Sequence, residues 1–135
     1  MERLLFVVSR RDYMSDLQLG VIETRFAEII WRNAPVTSSE LVKLAADELN
    51  WKRTTTHTVL RRLVDKGLFQ NNNGTVTAII SEEEFYTEQS RKYVDDSFNG
   101  SLPAFIAAFT SGKKLSKKEA DEIRKMIDEA EKKGK

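Results

Sequence analysis

Lys52 to Lys66 reads KRTTTHTVLRRLVDK, a stretch dense in hydroxyl and cationic side chains. If it is helical, Thr54, Thr55, His57, Thr58 and Arg61 fall on its outward side. Threonine hydroxyls bond phosphate oxygens or base edges, and a threonine methyl can meet a thymine methyl. Arginine makes bidentate contacts to guanine or phosphate. His57 shares its face with residues 54, 58 and 61 and reads as a further donor toward bases. Lys52, Arg53 and Arg62 flank them and read as phosphate contacts, and among the charges only Asp65 is acidic. The competing reading of the same residues is a solvated polar helix face.

Other chemistries find less support. The chain has no cysteine, which excludes disulfides, thiolate metal sites and a cysteine nucleophile, and its one histidine excludes a multi-histidine metal centre. There is no Ser/His/Asp set and no glycine-rich phosphate loop. The acidic residues gather at helix starts, where capping accounts for them. The expectation is a protein that is not an enzyme and takes no cofactor and no metal. Net charge is only +1, but it is segregated: the stretch above is basic, whereas Glu82, Glu83, Glu84, Glu88, Asp95 and Asp96 outweigh Arg91 and Lys92 further on.

The length of 135 residues and 40% apolar content allow one core, or a small domain with an appendage. No apolar run approaches the roughly 20 residues a bilayer requires. The apolar patch at residues 4–8 is too short for a signal peptide. The chain therefore reads as cytoplasmic, with no membrane insertion.

Helical periodicity places Ile22, Phe26, Ile29 and Ile30 on one face, and Asn33-Ala34-Pro35 ends that helix. Thr37 and Glu40 have capping-box spacing ahead of a second helix that buries Leu41, Leu44, Ala45 and Leu49. A third helix over residues 53–66 buries Thr56, Val59, Leu60, Leu63 and Val64, with Gly67 as its left-handed cap. Two strands, residues 68–70 and 75–80, then flank Asn71-Asn72-Asn73-Gly74 as a β-hairpin. Trp31 and Trp51 read as packing residues. Asn72 and Asn73 at the hairpin tip read as either a plain turn or phosphate contacts.

Three helices followed by a hairpin, with the third helix basic outside, is the order of a winged helix-turn-helix domain whose third helix enters the DNA major groove. Three further helices follow. One opens at the Ser81–Glu84 capping box and runs to about Phe98; a short apolar one precedes Ser111-Gly112; the last starts at Ser116. The fold class is mainly α with a small β-hairpin. The division is an N-terminal extension over 1–17, a winged helix over 18–80 and a helical region over 81–135. An alternative function on the same fold is a protein-interaction module without specific DNA binding.

The sequence resembles the penicillinase-repressor family, bacterial repressors of beta-lactamase and methicillin-resistance genes related to copper-operon repressors. The matching residues are Ile30-Trp31, the start from Ser38 to Leu41, Asn50-Trp51, then Thr55, Thr58, Val59, Leu60, Arg62, Leu63 and Val64, and Lys66-Gly67. They continue through Phe98-Asn99-Gly100-Ser101, the apolar helix to Phe109, and Leu115-Ser116, so the likeness spans about residues 18–132. What it implies is a homodimeric repressor on a near-palindromic double-stranded operator, its C-terminal helices intertwined with those of its partner.

The apolar residues of the C-terminal half point the same way. Phe85, Tyr93 and Phe98 on one helix, and Leu102, Phe105, Ile106 and Phe109 on the next, exceed what short helices bury among themselves. Ile123 and Ile127 on the last helix complete the expected dimer interface, the other option being that these helices fold back on the winged helix. The family is inactivated by a sensor-linked protease cutting an Asn-Phe bond in the apolar helix. This chain has Ala108-Phe109 at the matching place, so the cleavage position carries over with its first residue changed. The cysteine-rich metal motif of the copper branch is absent from this sequence. Family members begin near the position of Met14, which makes residues 1–13 an upstream extension, a misassigned start, or a short strand packed on the core.

Overall fold

The computed structural model describes residues 19–133. The readings of residues 1–17, of the 4–8 patch and of a start at Met14 lie outside the described residues.

Helix α1 (Val21–Asn33) starts at Gly20, whose amide donates to Glu23 Oε1 at 3.2 Å. It buries Phe26, Ala27, Ile29 and Ile30. Ile22, expected on the same buried face, is 50% exposed, because it sits in the first turn, where the packing partners of the core run out. Strand β1 (Val36–Thr37) follows, and then α2 (Ser38–Leu49), capped by the Thr37 hydroxyl accepting from the Glu40 amide at 3.1 Å. Leu41 and Ala45 of α2 are buried, while Leu44 and Leu49 pack half-buried against the core. Asn50 ends the helix in the left-handed region, φ 59°, a conformation in which its short amide is tolerated.

Helix α3 (Arg53–Asp65) buries Thr56, Val59, Leu60 and Leu63. The Thr56 hydroxyl donates to the Lys52 carbonyl at 3.3 Å, which satisfies it inside the core. Gly67, at φ 91°, turns the chain so that the Leu68 amide reaches the Leu63 carbonyl at 3.2 Å. Strands β2 (Phe69–Asn72) and β3 (Thr75–Ala78) pair antiparallel, Phe69 opposite Ala78 and Asn72 opposite Thr75. Their turn carries Asn73 at φ 53° and Gly74 at φ 93°.

The hairpin is one strand short of the real sheet. β1 pairs with β3, Val36 opposite Val76, giving the order β1-β3-β2. Two residues offer no alternation to read, so this strand is visible only from its partner. The strand limits also shift from the expected 68–70 and 75–80. Ile79 and Ile80 leave the ladder and donate instead to the Leu68 carbonyl, at 2.8 and 3.2 Å.

Helix α4 (Glu82–Phe98) opens with a complete capping box: the Glu84 amide donates to Ser81 Oγ at 3.0 Å, and the Ser81 amide to Glu84 Oε1 at 3.1 Å. Phe85, expected at a dimer interface, is 2% exposed and belongs to the winged-helix core. The reason is Trp31, whose ring lies 5.4 Å from Phe85 and 5.2 Å from Phe69, while its indole N–H donates to the Ile80 carbonyl at 2.8 Å. That aromatic packing already buries Phe85 within its own chain, leaving it no surface for a partner.

Two compact units divide the chain inside α4, the first ending at Tyr93 and the second beginning at Val94. In the second, Asn99 and Gly100 take positive φ after α4, and Ser101 caps α5 (Leu102–Thr110) by accepting from the Ala104 amide at 3.1 Å. Phe105 packs edge-on to Phe98 and Phe109 at 5.5 and 6.0 Å. Helix α6 (Lys117–Lys133) follows, its start capped by Ser116 Oγ accepting from the Glu119 amide at 3.0 Å. Neither α5 nor α6 buries a single residue.

Candidate nucleic-acid interface

The core positions α3 from behind. Val59, Leu60, Leu63 and Thr56 seat it against the rest of the first unit, so the opposite side must face outward. Thr54, Thr55, His57, Thr58 and Arg61 are all exposed there, and Lys52 and Arg53 are exposed at its amino end. The helix has no acidic residue in its first turn and no side-chain cap, so the positive end of its dipole and its first amides remain unneutralised.

The outward face divides into two halves. On one side a cleft of about 590 Å³ is lined by His57, Thr58, Arg61 and Asp65 of α3 together with Asn71 of the hairpin. On the other, a groove of about 400 Å³ collects Thr54, Thr55, Thr58 and Arg62 with Ile22 and Trp51. Thr58 lines both. Trp51 is itself held by packing, its ring 5.0 Å from Phe26.

Arg62 differs from the other cations. Its guanidinium donates to Glu23 Oε2 at 3.2 Å, and Lys66 approaches Glu23 Oε1 at 3.7 Å. Partial burial pulls the Glu23 carboxyl up, but the Gly20 amide and the charges of Arg62 and Lys66 outweigh it and hold the group below its ordinary value. Arg62 thus lies beside α1, on the flank of the face.

At the hairpin tip, Asn72 and Asn73 are exposed, as a phosphate contact requires. The hairpin residue that lines the cleft is Asn71, at the start of the Asn71–Gly74 turn segment; its Oδ1 accepts from the Gly74 amide at 2.9 Å. Asp65 lines the same cleft, and its spacing of four from Arg61 and seven from Thr58 places it on their face of α3.

Among the described residues, no group of histidine, cysteine and acidic side chains could hold a metal ion, and no helix is long and apolar enough to cross a membrane. A helix-turn-helix backed by a three-stranded sheet, with a basic outward helix beside a hairpin, defines a winged helix protein. The family profile described as penicillinase repressor matches residues 19–129. The chain belongs to that family. It is similar to the penicillinase repressor of Bacillus licheniformis, 26% identical over 116 residues that cover 83% of this chain and 91% of that protein. Membership implies a transcriptional repressor.

Proposed function

We propose that the protein represses transcription by binding a near-palindromic operator as a homodimer, with α3 in the major groove and the β2–β3 hairpin along the backbone. The observation that carries this reading is the outward face of α3, where hydroxyls, one imidazole and cations are exposed together on a helix seated rigidly by its apolar side.

Dimerisation is supported by the second unit. Leu102 and Phe109 are 57% and 53% exposed, and Ile106, Ile123, Met126 and Ile127 are exposed with them, on helices that bury nothing. A second chain with the same surface would cover them. Tyr93, Phe98 and Phe105 remain in the proposed interface; Phe85 does not. Two copies would then set the spacing of two half-sites.

Derepression would follow cleavage between Ala108 and Phe109, both exposed in α5, by a sensor-linked protease responding to a beta-lactam. Mass spectrometry of the cellular protein after beta-lactam exposure should show fragments split at that bond, and an intact chain under induction overturns this route.

A gel shift with sheared genomic DNA at low and moderate salt tests the central reading. Retardation at low salt that weakens steeply as salt rises is expected, with a slope of about −0.9 per phosphate neutralised. No retardation at any salt would overturn it in favour of a protein-interaction module.

A further inference from the structure

We propose that Asp65 is a specificity-determining residue of this interface, a carboxylate that accepts a hydrogen bond from the exocyclic amine of a cytosine in the major groove. The inference rests on the operator-binding reading above and extends it to a residue which that reading leaves unused.

Asp65 lies one helical turn beyond Arg61 and two beyond Thr58, on the outward face of α3. It is exposed, and it lines the same cleft as His57, Thr58 and Arg61, opposite Asn71 of the hairpin. It is the one acid among them. Arg61, four residues before it on the same face, forms no ion pair with it. Arg62 and Lys66, its neighbours in sequence, are drawn to Glu23 on the far flank, and among the described residues no ion pair or hydrogen bond engages the Asp65 side chain.

Helix stability gives an acid there little support, because the weak attraction of Arg61 one turn earlier is set against the helix dipole. Asp65 is the last residue of α3, where the negative end of the helix dipole disfavours a carboxylate and a lysine or arginine would be favoured. A carboxylate facing DNA is likewise repelled by every phosphate, so it weakens binding to DNA in general. It gains only where it meets a hydrogen-bond donor on a base edge. In the major groove the cytosine N4 amine is the donor that an aspartate suits, because a cytosine edge offers it with no purine N7 acceptor beside it. The residue therefore both penalises non-specific sites and rewards one base, which is how a small interface raises its specificity ratio.

The test is selection from a randomised double-stranded oligonucleotide library by the full-length protein and by its Asp65→Ala and Asp65→Asn variants, with circular dichroism melts showing that the exposed substitutions leave the fold intact. The expected wild-type motif has one cytosine per half-site preferred about tenfold; Asp65→Ala should lose that preference alone while the other positions persist, and Asp65→Asn, whose amide both accepts and donates, should admit adenine there. Non-specific affinity should rise in Asp65→Ala. A motif unchanged by both substitutions, with affinity raised uniformly, overturns the assignment of Asp65 and leaves the operator reading standing. A wild-type selection that yields no motif overturns the operator reading and this assignment together.

Discussion

Arg62 of α3 donates to Glu23 of α1 at 3.2 Å, so one of the cations nearest the outward face is tethered to the scaffold. The same carboxylate draws Lys66, four residues on, at 3.7 Å. Glu23 thereby holds Arg62 and approaches Lys66 on the flank of α3.

Glu23→Gln should release Arg62. The slope of log affinity against log salt should steepen by about 1, because one more phosphate can be neutralised. Stability should change little, by less than about 1 kcal/mol, since Arg62 is half-exposed and solvent screens the pair. The sign with pH follows from the direction of the shift. The folded carboxyl titrates below its ordinary 4.5, so its contribution is complete above 4.5 and is lost as pH falls through the lowered value. Acid unfolding of wild type and variant, followed by circular dichroism, should converge at low pH.

Thr58→Ala and Arg61→Ala remove exposed groups from α3 without touching its buried side. Each should weaken binding to a selected operator by about 1–3 kcal/mol. Fluorescence anisotropy measures this, and affinity left unchanged by both would falsify the assignment of α3 to the groove.

Phe85 and Phe109 separate the core from the proposed dimer interface. Phe85→Ala empties a site walled by Trp31 and should destabilise the first unit by about 3–5 kcal/mol in urea titration. Phe109→Ala should leave the unfolding of that unit nearly unchanged and raise the dimer dissociation constant seen in sedimentation equilibrium.

Tyr86 donates to Glu28 at 2.5 Å, tying the N-terminal part of α4 to α1. Burial, that hydrogen bond, and the charges of Glu28 and Glu82 push its hydroxyl up to about 12. A raised value means the protonated form is favoured in the folded state. Its contribution is therefore complete below the ordinary value of 10 and is lost as pH rises toward about 12. Ultraviolet absorption should show a tyrosine ionising near 12 that Tyr86→Phe abolishes.

Much of this protein was legible in one dimension because its signals are local. The capping spacing of Thr37 with Glu40, and of Ser81 with Glu84, acts over three residues and predicts helix starts that the hydrogen bonds then occupy. The left-handed Gly67 and the Asn73-Gly74 turn are likewise set by which residues tolerate positive φ. Because the periodicity of α3 names its buried side, it also leaves Thr54, Thr55, His57, Thr58 and Arg61 outside.

What tertiary structure decided was every choice between partners distant in sequence. β1 exists only because Val76 lies beside Val36, since two residues carry no pattern of their own. Phe85 reads as one apolar residue among many until Trp31, itself packed on Phe69, lies against it. Arg62 looks like its neighbour Arg61, and only a carboxylate 39 residues earlier distinguishes them. Helix geometry sets the faces within each element, but which face meets which is fixed by packing and charge across the whole chain.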